Sequence, residues 1–324
     1  MNPPEFWWQE KGFGWGALLE PLAWGYRQVA ERRFASARPQ KVDVPVICVG
    51  NLVVGGAGKT PIAMSIAARL RENGLDVHFL SRGYGGRLAG PVRVDPKQHV
   101  FADVGDEPLL LADQSPSWIA RDRAAGCAAA VADGAEVIVM DDGFQNPSVA
   151  KDLSFVVVDA HRRFGNGRIL PAGPLREPIA AGLSRADAVV LMGNVGAEVA
   201  QLADAEIPVL RAHVKPVPLK EGCAEKPILA FAGIGDPQKF FRTLKAMGCD
   251  VRETLAFADH HPYGQAEIET ILAKAESGGM VAITTAKDAV RIAPELLTRI
   301  RVLTIGIEWE DQTAVDQLLA TVIK

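Results

Sequence analysis

The eight residues Val53-Val54-Gly55-Gly56-Ala57-Gly58-Lys59-Thr60 carry the types and spacing that grip the phosphates of a nucleotide. Glycines let backbone N–H groups turn inward onto phosphate oxygens, and a helix that starts at the same point adds positive potential. Lys59 can reach the β- and γ-phosphates of ATP, and Thr60 can ligate Mg²⁺. The consensus G-x-x-x-x-G-K-[ST] has glycine where this chain has Val53, which predicts a turn that opens differently. Such a turn needs an acidic partner at the end of a nearby apolar strand, and Val137-Ile138-Val139-Met140-Asp141-Asp142 offers two carboxylates to hold Mg²⁺ or its waters.

Further polar blocks could supply an acceptor site. They are Ser81-Arg82-Gly83-Tyr84-Gly85-Gly86, Gly105-Asp106-Glu107-Pro108, Arg121-Asp122-Arg123, Gly143-Phe144-Gln145, Leu170 to Glu177 and Ala258-Asp259-His260-His261-Pro262-Tyr263. Each could instead be a capped turn or a surface salt bridge. Guanine specificity is unsupported, because Thr284-Thr285-Ala286-Lys287-Asp288 sets Lys and Asp side by side where Asn-Lys-x-Asp is needed. A kinase, by contrast, requires a base near an acceptor hydroxyl and cations for the acceptor.

The elements that position these residues alternate short Val/Ile-rich runs with helical ones, the pattern of βα units on a parallel sheet. The expected strands are Val44 to Val49, Val77 to Leu80, Glu136 to Met140, Phe155 to Val158 and Ala188 to Met192, with a helix from Pro61 to Glu72. Pro-rich text from His213 to Pro227 reads as a linker. After it the pattern restarts with strands at Ile228 to Ala232, Met280 to Thr284 and Val302 to Ile307. The expected architecture is therefore α/β: a P-loop NTPase-like parallel-sheet domain over 44–215, a smaller α/β domain over 216–324, and an N-terminal amphipathic segment over 1–43.

That segment holds Trp7, Trp8, Trp15 and Trp24, four of the six tryptophans in the chain. Trp15, Leu18, Leu19, Leu22, Tyr26 and Val29 fall at the spacing of one helical face, and Arg27, Arg32, Arg33, Arg38 and Lys41 follow. Indole rings beside cations suit an interfacial helix on anionic lipid, while packing on the protein's own core or on a partner subunit would use the same face.

A chain of 324 residues with 48% hydrophobic and 23% charged residues is long enough to bury two cores. A net charge of -4 gives no electrostatic reason to expect nucleic acid. Cys48, Cys127, Cys223 and Cys249 stand far apart, which argues against a zinc site or a disulfide framework and fits a reducing compartment. No apolar run is long enough to span a bilayer, and Glu5, Glu10 and Lys11 interrupt any signal-peptide pattern.

Taken in order, the turn from Val49-Gly50-Asn51-Leu52 into Gly55 to Pro61, then SRGYGG, GDEP, DDGFQ, LPAGPLRE, ADHH and TAKDAVR, resembles the tetraacyldisaccharide 4'-kinase family of lipid A biosynthesis. The resemblance covers nearly the whole chain, and a valine at the start of the phosphate-binding turn is usual in that family. It implies transfer of the ATP γ-phosphoryl group to the 4'-hydroxyl of tetraacyldisaccharide 1-phosphate, by an enzyme peripheral to the cytoplasmic face of a bacterial inner membrane. An acylated substrate stays in the bilayer, which favours the membrane reading of the N-terminal helix. The implied catalytic residues are Asp106, Lys59 and a histidine of the ADHH block, with His260 the first choice and His261 the second. The resemblance implies that Thr60, Asp141, Asp142 and Glu107 share Mg²⁺, and that Arg82, Tyr84, Gln145, Arg176 and Glu177 face the glycolipid. Two other classes use similar motifs: a P-loop ATPase of the metallochaperone or partitioning type, and a nucleotide-gated membrane-binding module.

Overall fold

Strand β1 (Val46–Gly50) is buried along its whole length, so both of its faces meet apolar partners. Ile47 and Val49 pack with Ile62, Ile66 and Leu70 of the helix Lys59–Glu72, while Val46 and Cys48 face the opposite layer. The computed structural model describes residues 4–9, 14–193, 199–202, 206–219 and 226–323. Glu10, Lys11 and positions 220–225 of the expected linker lie outside the described residues.

The remaining strands are β2 (Val77–Ser81), β3 (Val92–Arg93), β4 (Ser117–Ile119), β5 (Val137–Asp141), β6 (Leu153–Asp159), β7 (Ala188–Met192), β8 (Val209–Pro216), β9 (Ile228–Ala232), β10 (Val251–Ala256), β11 (Val281–Thr285), β12 (Arg301–Leu303) and β13 (Ile305–Trp309). Among the described residues they form a nine-stranded sheet, β13-β8-β7-β6-β1-β5-β2-β4-β3, and a four-stranded sheet, β10-β9-β11-β12. From β8 to β4 the large sheet is parallel throughout, and only its edge strands β13 and β3 run antiparallel. Strands β5 and β2 lie on one side of β1 and β6 and β7 on the other, so the loops leaving β1 and β5 open into the crevice of a topological switch point.

The run Val302 to Ile307, expected as one strand, is two strands in different sheets, because Trp309 and the following helix Gln312–Ala320 are drawn into the core of the large sheet. Trp309 is buried and its indole Nε1 donates to Ser65 Oγ at 2.9 Å. Residues 216–324 therefore form the four-stranded sheet with its own buried clusters and also contribute an edge strand and a helix to the large sheet. The expected linker begins inside β8, where His213 and Lys215 pair with Glu310 and Glu308 across β13.

The face from Trp15 to Val29 is not one helix but two, Trp15–Leu18 and Glu20–Ser36. Pro21 lacks the N–H that would continue the first helix and instead sits in the opening turn of the second. Part of this segment docks on the body: Trp7 Nε1 donates to Pro171 O at 3.1 Å, Arg168 pairs with Glu20 at 2.7 Å, and Ala23 is buried. Trp15, Leu18, Leu22, Trp24 and Val29 point the other way and are exposed. No described helix is long and apolar enough to cross a membrane. Cys249 is disulfide-bonded, against the expectation from cysteine spacing, whereas Cys48 and Cys127 are free and buried.

Candidate active site

The glycine-rich turn over residues 53–60 follows β1 and enters the helix Lys59–Glu72 directly. Gly55 and Gly58 take φ of 112° and 90°, conformations that side chains other than glycine rarely adopt. Val53 stands where the consensus has glycine because it needs no such freedom. It bridges Leu175 as an antiparallel pair and is buried, Val54 N donates to Pro174 O at 2.8 Å, and Arg176 N donates to Leu52 O at 2.8 Å. The Leu170 to Glu177 block thus pins the first half of the turn as extended backbone and leaves the second half to curl.

Asp141 closes β5 beside that turn. It is buried, and Thr60 Oγ1 donates to its Oδ2 at 2.7 Å while Oδ1 has no hydrogen-bond partner. Burial pushes its carboxyl up to about 7, with Asp142 and Glu107 adding to the rise and the Thr60 hydrogen bond and Lys59 opposing it. A buried carboxylate with an orphaned oxygen beside a threonine hydroxyl is a donor set that fits Mg²⁺. Among the described residues no cluster of three or more His, Cys, Asp or Glu could hold a metal alone, so phosphate and water oxygens would complete such a site.

Asp142 adopts a φ of 54° that turns its carboxylate onto two cations. Arg176 meets it with Nη1 at 2.9 Å and Nη2 at 3.3 Å, and Lys59 Nζ lies at 3.7 Å. Burial acts to raise its pKa, but Lys59 and Arg176 outweigh that and hold the carboxyl below its ordinary value. Arg176 also donates to Gln145 Oε1 at 3.1 Å, and Gln145 Nε2 donates to Asn51 O at 2.8 Å and to Glu177 Oε1 at 3.0 Å. Glu177 is buried and accepts from Arg185 at 2.6 Å. Gln145, Arg176 and Glu177 therefore bond to one another and to the P-loop surroundings.

Asp106 opens the helix Asp106–Ala112 after Gly105, whose φ of 90° places a missing Cβ 2.4 Å from Tyr84 O. Only glycine permits that approach, which seats the Ser81 to Gly86 loop against the start of the helix. Asp106 is buried; its Oδ2 lies 2.8 Å from Nδ1 of His260 and forms an ion pair with Arg291, whose Nε stands 3.3 Å away and donates to Lys287 O. His260 holds a φ of 59°, and with Asp142 it supplies two of the three described non-glycine residues at positive φ. Backbone strain of roughly 1–3 kcal/mol per such residue is tolerated where the side chain must be aimed. His261 turns away, stacking on Phe257 at 4.8 Å and meeting Glu267 Oε2 at 2.8 Å.

Glu107 pairs with Lys287 at 2.8 Å. Arg82 and Tyr84 are exposed, and the Tyr84 ring lies 6.1 Å from that of His260. Asp122 serves as a helix cap, accepting from Ala124 N and Ala125 N. Sequence reasoning gave no role to Lys287, Asp288, Arg291 or Arg185. The signal for the first three was the TAKDAVR block itself, and Arg185 left none.

Comparisons with known proteins agree along the full chain. The profile of the family described as tetraacyldisaccharide-1-P 4'-kinase, LpxK, matches residues 15–324. A tetraacyldisaccharide 4'-kinase of Rhodospirillum centenum is 52% identical, covering 100% of this chain and 97% of that protein. Another, of Rhodospirillum rubrum, is 47% identical over 100% and 98% respectively. A crystal structure of LpxK from Aquifex aeolicus, an "apo" form in complex with ATP, superposes with a TM-score of 0.79 at 28% identity, covering 95% of this chain and 99% of that one. With 52% identity over its whole length and the fold in common, the chain belongs to the tetraacyldisaccharide-1-P 4'-kinase family.

Proposed function

We propose that this chain is an ATP-dependent kinase that moves the γ-phosphoryl group of ATP onto the 4'-hydroxyl of tetraacyldisaccharide 1-phosphate in lipid A biosynthesis. The observation that carries the reading is the buried Asp106–His260 pair at 2.8 Å, beside a phosphate-binding turn whose Lys59 and Thr60 are already engaged by Asp142 and Asp141. Asp106 takes the proton of the acceptor hydroxyl as that oxygen bonds to phosphorus, and the bond from phosphorus to the β,γ-bridging oxygen breaks to release ADP. His260 donates to Asp106 through Nδ1 and holds the carboxylate in place. Residues 53–60 hold the nucleotide, with Lys59 on its terminal phosphates. Asp141 and Thr60 would hold Mg²⁺, with Asp142 and Glu107 nearby in their cationic pairs. When bound, the ion neutralises phosphate charge and draws electron density from the transferred group. Arg82 and Tyr84 face the glycolipid, while Gln145, Arg176 and Glu177 support the floor on which it sits.

The ATPase alternative of the metallochaperone or partitioning type is not favoured, because the kinase family is matched over residues 15–324. The deciding assay is transfer of labelled γ-phosphate. Purified protein should move label from ATP into a chloroform-extractable glycolipid in a magnesium-dependent manner. Steady phosphate release with no labelled lipid would overturn the proposal.

An acylated acceptor lies in the bilayer, and the exposed row Trp15, Leu18, Leu22, Trp24 and Val29 beside exposed Arg27, Arg32, Arg33, Arg38 and Lys41 suits contact with the cytoplasmic face of the inner membrane. Burying one such apolar side chain is worth about 1.5–3 kcal/mol. Replacing Leu18, Leu22, Trp24 and Val29 together with serine should therefore weaken co-sedimentation with anionic vesicles by at least about tenfold. The Tm should move by no more than about 2 °C, since exposed side chains contribute little to the fold. Unchanged vesicle binding would assign this face another partner.

A further inference from the structure

We propose that Lys287 is a positioning residue for phosphoryl transfer: from the Nε2 side of His260 it fixes the imidazole tautomer whose Nδ1–H is donated to Asp106. This rests on the Asp106–His260 pair assigned above.

Nδ1 of His260 lies 2.8 Å from Oδ2 of Asp106. An ionised carboxylate only accepts, so the hydrogen of that bond belongs to Nδ1. A neutral imidazole carries one N–H, and Nε2 is then a lone pair that needs a donor. Two groups compete for it. Lys287 Nζ, which can only donate, stands 3.5 Å away. Asp259 Oδ2, which can only accept when ionised, stands at 3.7 Å and draws a hydrogen onto the same nitrogen. The first neighbour favours the tautomer that serves Asp106, and the second favours the one that does not. Without Lys287 the choice falls to Asp259.

Lys287 is held for this task from two sides. Glu107, next in the chain to Asp106, grips its ammonium at 2.8 Å. The backbone of Lys287 is fixed by a buried network. Thr285 Oγ1 caps the turn by accepting from Asp288 N, and Asp288 accepts from Gly233 N, Tyr263 and Arg291 at 2.8, 2.8 and 3.0 Å. Arg291, wholly buried, donates to His261 O at 2.9 Å and Gly233 O at 3.1 Å, and places Nε on the same Asp106 oxygen that His260 uses. The TAKDAVR block thus reaches both members of the pair, Lys287 on the imidazole and Arg291 on the carboxylate.

The test is a mutant cycle read by kinetics and by nitrogen NMR. Lys287→Met should lower kcat by about 10–100-fold, part of the range for positioned proton transfer, with KM for ATP within about twofold. Combined with His260→Ala it should cost nothing beyond His260→Ala alone, because a residue acting through His260 has no further route. Lys287→Arg, which keeps a donor and the partner of Glu107, should recover most of the rate and guards against a Met variant that fails to fold. In ¹⁵N-histidine protein, with His260 assigned by loss of its signal in His260→Gln, the resonance should report Nδ1–H in the wild type. Lys287→Met should populate Nε2–H. Wild-type kcat in Lys287→Met, additive losses in the double variant, or an unaltered tautomer would each overturn the proposal. If His260→Ala itself kept full turnover, the dyad would fail first and this inference with it, so the two failures are told apart.

Discussion

Replacing Lys59 with alanine is expected to lower kcat/KM for phosphoryl transfer by about 10³-fold, equivalent to about 4 kcal/mol of transition-state stabilisation. In the proposed reaction the ammonium is the charge that the turn directs at the terminal phosphates, and charge on the transferred group is greatest in the transition state. Loss of the fold is not expected, because Asp142, the ionic partner of Lys59 at 3.7 Å, retains Arg176 at 2.9 Å. Lys59→Arg should recover little, since a planar guanidinium does not replace a compact point charge in a turn of fixed radius. Initial-rate kinetics with labelled ATP, alongside a thermal melt, measure both halves of this statement. A variant that keeps wild-type rates would mean that the turn does not hold the reacting nucleotide, and the kinase reading would lose its foundation.

The second large effect concerns the acceptor. Asp106→Asn keeps the size of the side chain and removes its basicity, so turnover should fall by about 10²–10⁴-fold with ATP affinity unchanged. Arg291 would not be stranded as a buried charge, because Asp288 still pairs with it at 3.0 Å. His260→Ala should cost about 10²-fold, less than the aspartate, because the base survives and only its orientation is loosened. Single-turnover transfer to the glycolipid, with ATP binding followed separately, distinguishes these losses from a damaged nucleotide site. Turnover within about threefold of wild type in either variant would remove that residue from the mechanism.

Lys59 and Lys287, two lysines that the sequence presents in equally polar settings, owe their chemistry to different levels of structure. Lys59 follows a glycine turn at a helix N-terminus, a position whose field and geometry are local. Lys287 lies in a four-residue helix with no phosphate-binding feature of its own, and its chemistry comes from what the fold brings to it. Glu107 belongs to the large-sheet region and His260 to the loop after β10, so Lys287 joins the two. Arg185 is similar: it stacks on Phe34 at 4.4 Å and on Phe144 at 5.1 Å while bonding Glu177, linking the N-terminal helix to the support of the P-loop.

Strands β3 and β4 and the helices between β2 and β5 escaped the sequence pattern, but the sequence by itself determined the parallel-sheet class, five strands of the large sheet with the helix after the first of them, and two aspartates at the end of β5 near a glycine-rich turn. Those features are written in short stretches, where glycine φ angles, a buried apolar run and a helix start follow from neighbours a few residues apart. Only the tertiary structure decided that His260 rather than His261 meets Asp106 across 154 positions of chain, that Val53 is pinned by Leu175, and that β13 crosses from the smaller sheet's side to the larger one. These outcomes depend on how distant surfaces dock. The energy of docking is summed over many weak contacts, such as the burial of Trp309, Val315 and Leu319 in the large-sheet core, and no local period in the chain records that sum.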